Sequence, residues 1–440
     1  MDILIKIAQL FLCFTILVGI HELGHFLMAR AFKIRVEKFY IFFDPWFSLF
    51  KFKRGDTEYG LGWLPLGGYV KIAGMIDESM DKEQMKQPVK PDEFRAKPAW
   101  QRLLVMVAGV MMNVLLAIVI YCAVCYTWGD SYFSNQDAKW GYNFNPTAHE
   151  MGFRDGDRFV SIDGEEIDNV MRAQNDLLIT DGGRRVVVER GGEPVTLDIP
   201  FESLLRMRQE KAYEDLFTLR LPFIVDSVSY TSAVEAGLES GDEVVAIDDL
   251  RDADYPRYRD YLQKHKNDKV LLTVRRDGAL IDSLALPVDA EGRIGVTVTN
   301  PYSLRTQYYT FWESIPAGIH KAGKTISSYW DQLKLIVQPK TKMYEELGGF
   351  VAIGSIFPSS WDWHDFWLKT AFLSIILAVM NLLPIPGLDG GHALFTLWEI
   401  ITRRKPSEKF LEVAQYVGLM IILALLVYAN GNDIYRFFIK

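Results

Sequence analysis

Cysteine is scarce: three in 440 residues, all in apolar runs (Cys13, Cys122, Cys125). That excludes a disulfide framework. An excess of basic charge is also missing. Lys and Arg number 48 against 56 Asp and Glu, a net charge of −8, which argues against a nucleic-acid binder. Apolar residues are not lacking, since 49% of the chain is hydrophobic, and this excludes a disordered protein. With 24% charged residues the chain is not all membrane either. The length predicts about three domains, and the mixture predicts membrane spans joined to water-soluble modules.

Four apolar stretches approach the roughly 20 residues that cross a bilayer: 3–32, 103–128, 366–383 and 413–428, the last slightly short. The first lacks a small-x-small cleavage site and exceeds a signal-peptide core of about 7–15 residues, so it reads as a retained span. Arg30, Lys33, Arg35 and Lys38 follow the first span, Lys97 and Arg102 precede the second, and Arg403, Arg404, Lys405 and Lys409 separate the third from the fourth. The positive-inside rule then places 33–102 and 401–412 in the cytoplasm, and 129–365 with both termini outside.

The outer region contains a repeat. GFRDGDRFVSID at 152–163 aligns with GLESGDEVVAID at 237–248, and VVVERGG at 186–192 with LTVRRDG at 272–278. Each copy reads as a short helix closed by glycine, then a Gly-Asp turn feeding a buried strand. The second copy, with SAVEAGL at 232–238, resembles a PDZ domain in its bacterial protease arrangement. The first is a weaker match, with Met151 and Phe153 where small and aliphatic residues are usual. PDZ domains bind extended peptides, including peptide termini, by strand addition. A β-rich spacer without a ligand is the alternative.

HELGH interrupts the first span at 21–25. Ionisable groups in a span mark function by default. His21 and His25 are one helical turn apart and share a face, so two imidazoles there can hold one Zn²⁺, with Glu22 placed to take a proton from water. Nine residues separate His21 from Arg30, which puts the histidines about 14 Å inside that boundary.

Hydrolytic zinc usually has three protein ligands. The third candidate is Asp389 in NLLPIPGLDGGH at 381–392, where two prolines and three glycines break the helix. Such backbone survives at membrane depth only where protein or a water-filled cavity receives it. Asp389 lies 14 residues before Arg403, at most about 21 Å if helical, a depth comparable to His21. His392 is a rival ligand, but two histidines and a carboxylate already suffice. Asn381 suits the substrate backbone or a developing oxyanion better than a metal.

At this point the residues resemble the site-2 protease family of intramembrane zinc metalloproteases. With tandem PDZ modules between the second and third spans, the chain is similar to the bacterial subgroup that includes the regulator of sigma E protease. GWLPLGGYVK at 62–71 resembles the family's membrane-associated β-hairpin, GRIGV at 292–296 the segment closing the second PDZ module, and AGVMMN at 108–113 the second-span motif. Val110 and Phe350 depart from the family, which commonly has proline there. The resemblance implies His21, His25 and Asp389 as zinc ligands and Glu22 as general base. It implies single-pass membrane substrates, in bacterial relatives anti-sigma factors and leftover signal peptides, and an inner-membrane protein whose PDZ modules face the periplasm.

The architecture expected is therefore a polytopic α-helical membrane protein with four transmembrane helices, a membrane-associated β-hairpin on the cytoplasmic side and two tandem β-rich PDZ-like domains. Its segments are 1–32 (first span), 33–102 (hairpin region), 103–128 (second span), 129–210 and 211–300 (the two modules), 301–365 (amphipathic helix and linker), 366–400 (third span with its motif) and 401–440 (loop and fourth span). A hairpin is predicted over 47–59 with its turn at Arg54, Gly55 and Asp56. The stretch Gly67, Gly68, Tyr69 and Val70 is expected to offer a strand edge to unwound substrate. Residues 309–337 predict an amphipathic helix lying on the outer membrane face or packed under the modules. Cys122-x-x-Cys125 has no second pair and reads as packed or lipid-facing thiols. Two other functions compete. A catalytically silent adaptor displaying peptide-binding modules would have little need of Glu22 beside two histidines. A metal transporter would need a continuous polar path, and beyond the two motifs only Asn113 is polar in the second span.

Overall fold

The computed structural model describes residues 2–64, 67–75, 88–209, 212–213, 216–251 and 254–439. The chain forms two compact units, 1–130 with 307–440, and 131–306.

The first unit holds the long apolar helices. α1 (Asp2–Ala31), α2 (Ala99–Trp128), α3 (Phe311–Val337), α4 (Trp363–Leu382), α5 (Asp389–Thr402) and α6 (Glu408–Ile434) are its principal helices. Four of them, α1, α2, α4 and α6, are long and apolar enough to cross a membrane. The fourth is not short: it continues about one and a half turns beyond each end of the 413–428 apolar run. The 366–400 segment is not one helix. Pro384 and Pro386 cannot donate backbone N–H groups, so α4 stops at Leu382 and α5 starts at Asp389, with an irregular turn between.

Between α1 and α2 lies a four-stranded sheet of β1 (Val36–Ile41), β2 (Phe43–Arg54), β3 (Thr57–Leu64) and β4 (Tyr69–Ile72) in the order β2-β3-β1-β4. β2 and β3 form the predicted hairpin around Gly55 and Asp56. The sequence did not announce the rest: β1 runs parallel to β3, and β4 pairs antiparallel with β1. Gly67 and Gly68 thus lead into an edge strand rather than forming a hairpin turn.

α3 packs against α2. Its buried face is Ser314, Gly318 and Ala322. A Cβ on Gly318 would lie 2.5 Å from Cys122 Sγ, and that thiol donates to the Ile315 carbonyl at 3.6 Å. Cys122 is a packing residue at a helix crossing.

The second unit contains the two repeats, each around its own core. The first sheet orders Glu193–Ile199, Arg184–Arg190, Arg158–Ile162 and Glu165–Glu166. The second orders Ala279–Pro287, Lys269–Arg276, Glu243–Ile247, Phe223–Val228 and Val296–Val298. The repeat has a physical counterpart in one bidentate pair. Arg190 donates to both carboxylate oxygens of Asp157 at 2.8 and 2.7 Å, and Arg276 to those of Asp242 at 2.7 Å each. Both aspartates are buried. The same arginines close the preceding glycine turns through the Gly152 and Gly237 carbonyls. The first core extends to Leu216, and Phe217–Leu219 pairs with Tyr142–Phe144, so the first module runs past 210.

Candidate metal centre and the cavity around it

His21 and His25 are buried on one face of α1, 8% and 7% exposed, with their Nε2 atoms 3.2 Å apart. The helix break after α4 delivers Asp389 to the same point as the first residue of α5. Its Oδ2 lies 3.1 Å from His21 Nε2 and 3.3 Å from His25 Nε2. All three ligand atoms fall within 4.8 Å of one another. His392 lines the adjoining cavity but does not join this cluster.

These residues fit a zinc ion on two counts. Bonds of about 2.0–2.1 Å to a tetrahedral metal leave ligand atoms roughly 3.3 Å apart, close to the three separations observed. Asp389 Oδ2 is also buried without a hydrogen-bond partner, and a buried anionic oxygen in that condition calls for a cation.

α2 supplies the outer layer, which the sequence expectations did not assign. His25 Nδ1 meets the Val105 carbonyl at 2.8 Å. An N–H donated there leaves Nε2 as the free lone pair. Asn113 does the same for His21, its side-chain amide 3.2 Å from Nδ1. Amide O and N are interchangeable in assignment, and Asn113 Oδ1 otherwise has no partner; with the oxygen turned to the ring, it accepts Nδ1–H. The close approach of α2 depends on small residues. A Cβ on Gly24 would lie 2.5 Å from the Ala108 carbonyl oxygen, and one on Gly109 would lie 2.4 Å from His25 Nε2.

A cavity of about 690 Å³ opens onto the cluster, and Glu22, Asn381 and β4 line it. Asn381 Nδ2 stands 3.5 Å from His21 Nε2. The residues Gly67, Gly68, Tyr69 and Val70 all contribute to the wall. Gly68 admits β4 beside α1, since a Cβ there would sit 2.8 Å from Val18 Cγ1 and 3.2 Å from Glu22 Cγ.

β4 is the last strand of its sheet. The Ala73 N–H points back to the Arg35 carbonyl on the β1 side, at 3.0 Å. Backbone direction alternates along a strand, so the N–H groups of Ile72 and Val70 point away from β1, to the open edge.

The sequence model for peptidase family M50 matches residues 9–425. The chain belongs to peptidase family M50. A Clostridium perfringens protein named "Putative zinc metalloprotease CPE1693" is 30% identical over 426 residues, covering 96% of each chain. The regulator of sigma E protease of Haemophilus influenzae is 27% identical over 460 residues, covering 99% of this chain and all of that one. This M50 protein is a zinc metalloendopeptidase with apolar helices suited to a membrane.

Proposed function

We propose that the chain hydrolyses a peptide bond inside the transmembrane segment of single-pass membrane proteins, within regulated intramembrane proteolysis. The observation that carries this reading is the meeting of His21, His25 and Asp389 between helices apolar enough to span a bilayer. The name of the Haemophilus influenzae relative supports anti-sigma factors as a substrate class, with remnant signal peptides as the second class the family resemblance implies. Partners are then the substrate, the lipid bilayer and, at the two modules, peptide termini; no nucleic acid is involved.

His21, His25 and Asp389 would hold the metal through Nε2, Nε2 and Oδ2. Bound zinc supplies a Lewis acid and lowers the pKa of coordinated water to near 7. Glu22 lines the cavity and takes the proton from the attacking water on a carboxylate oxygen, then returns it to the leaving amine. The Asn381 amide donates to the carbonyl oxygen as it gains charge. A helical substrate hides its carbonyls in i→i−4 bonds, so it has to unwind. The open edge of β4 receives the unwound stretch by backbone pairing.

The basic residues around the spans support an inner-membrane protein with the sheet on the cytoplasmic side and the repeats outside. Buried strands, glycine turns and the repeated Asp–Arg pair support PDZ-like modules, which would admit substrates already trimmed on their outer side. The experiment is cleavage of a reconstituted single-pass substrate by the wild type and by Glu22→Gln. The reading predicts cleavage by the first and loss of at least about a hundredfold in the second, with zinc bound equally by both.

A further inference from the structure

α6 turns most of its surface away from the protein. Among its described residues only Gln415, Gly418 and Asp433 are buried. Gln415 and Gly418 are three residues apart and share one face of the helix. That face meets the irregular turn before Asp389: a Cβ on Gly418 would fall 1.4 Å from the Pro386 carbonyl oxygen. The contact fixes the height and rotation of α6 against the metal site.

It also fixes where Gln415 points. The residue is 9% exposed and lines the cavity that His21, Glu22 and Asp389 line. Its carboxamide has no hydrogen-bond partner among the described residues. The amide is open to the cavity, where leucine would fill the same volume and offer no polar group. What glutamine adds is two donors and an acceptor.

An unwound peptide needs those groups. An extended stretch exposes N–H and C=O on both edges, and β4 can pair only one of them. The other edge sits where bulk water is scarce, and its polar groups require protein partners. We propose that Gln415 is a substrate-binding residue whose carboxamide hydrogen-bonds the backbone of the unwound substrate on the edge that β4 leaves unpaired. This rests on the reading that an apolar segment enters the cavity extended.

The test uses the full-length protein in vesicles with a synthetic single-pass peptide. A second set of peptides has one backbone N–H near the cut replaced by an ester oxygen, position by position. Gln415→Leu should raise KM by about tenfold, the worth of one such hydrogen bond, with bound zinc unchanged. At one position the ester should cost the wild type a similar factor and cost Gln415→Leu nothing further. A wild-type KM in Gln415→Leu, or an ester penalty of the same size in both proteins at every position, would overturn the inference while leaving intramembrane cleavage intact. No cleavage of any apolar peptide by the zinc-loaded wild type would overturn the reading beneath it, and this inference with it.

Discussion

A Cβ on Gly109 would lie 2.4 Å from Nε2 of His25 and 2.7 Å from Cε1 of His21. α2 is therefore pressed onto the two imidazoles at the atoms that would hold the metal, with no room for a methyl group. Gly109→Ala should displace a histidine and lower zinc affinity by an order of magnitude or more, while the same change at Gly323, which has nothing within 4 Å, should leave it unchanged. Zinc competition against a chromophoric chelator measures both.

Asn113 acts on His21 through Nδ1 and lies outside the ligand set. Replacing an outer-layer partner of this kind typically costs 10–100-fold in metal affinity. Asn113→Ala should fall in that range, and Asn113→Asp, which keeps an acceptor for Nδ1–H, should recover part of the loss.

The metal motif was legible because its chemistry is out of place. Histidines, a glutamate and an aspartate in apolar helices have few explanations, and two prolines mark where a helix ends. Asn113, Gly109 and the Val105 carbonyl act across a helix interface, and nothing local in the sequence states which face of α2 meets α1. The β2–β3 hairpin was legible from its Gly-Asp turn. The β1–β3 and β1–β4 pairings were not, because parallel pairing and pairing at a distance leave no turn signature. Gln415 was missed for the same reason as Asn113: a single amide in an apolar run does not say which way it points.

Ile72 tests the strand edge. Its N–H points away from β1, so proline there removes a donor from the open edge without breaking a β1–β4 hydrogen bond. Ile72→Pro should reduce cleavage at least tenfold with zinc retained, whereas Ile72→Ala keeps the N–H and should matter far less. Parallel cleavage and metal assays on the two variants distinguish backbone pairing from side-chain packing.

The Asp242–Arg276 pair gives the second module a dependence on acid. Burial pushes the Asp242 carboxyl up, but the Arg276 guanidinium and the Glu239 backbone N–H outweigh it and hold the group below the usual carboxylate range. A group depressed in the folded state contributes stability above its unfolded pKa of about 4, and that stability is lost as pH falls through the folded value. Hydrogen exchange in Lys269–Arg276 of the intact chain should therefore speed up as pH drops below about 4, after correction for intrinsic rates. Asp242→Asn should destabilise the module at neutral pH, because it removes the bidentate partner and leaves Arg276 only Glu239 and the Gly237 carbonyl.

Mass spectrometry of the products from a reconstituted single-pass substrate tests the central claim most directly. The account predicts a cut within the apolar segment of the substrate, abolished by Glu22→Gln and by chelation, and restored after chelation by adding back zinc. Cleavage confined to residues outside the apolar segment, or an intramembrane cut undiminished in Glu22→Gln, would contradict it.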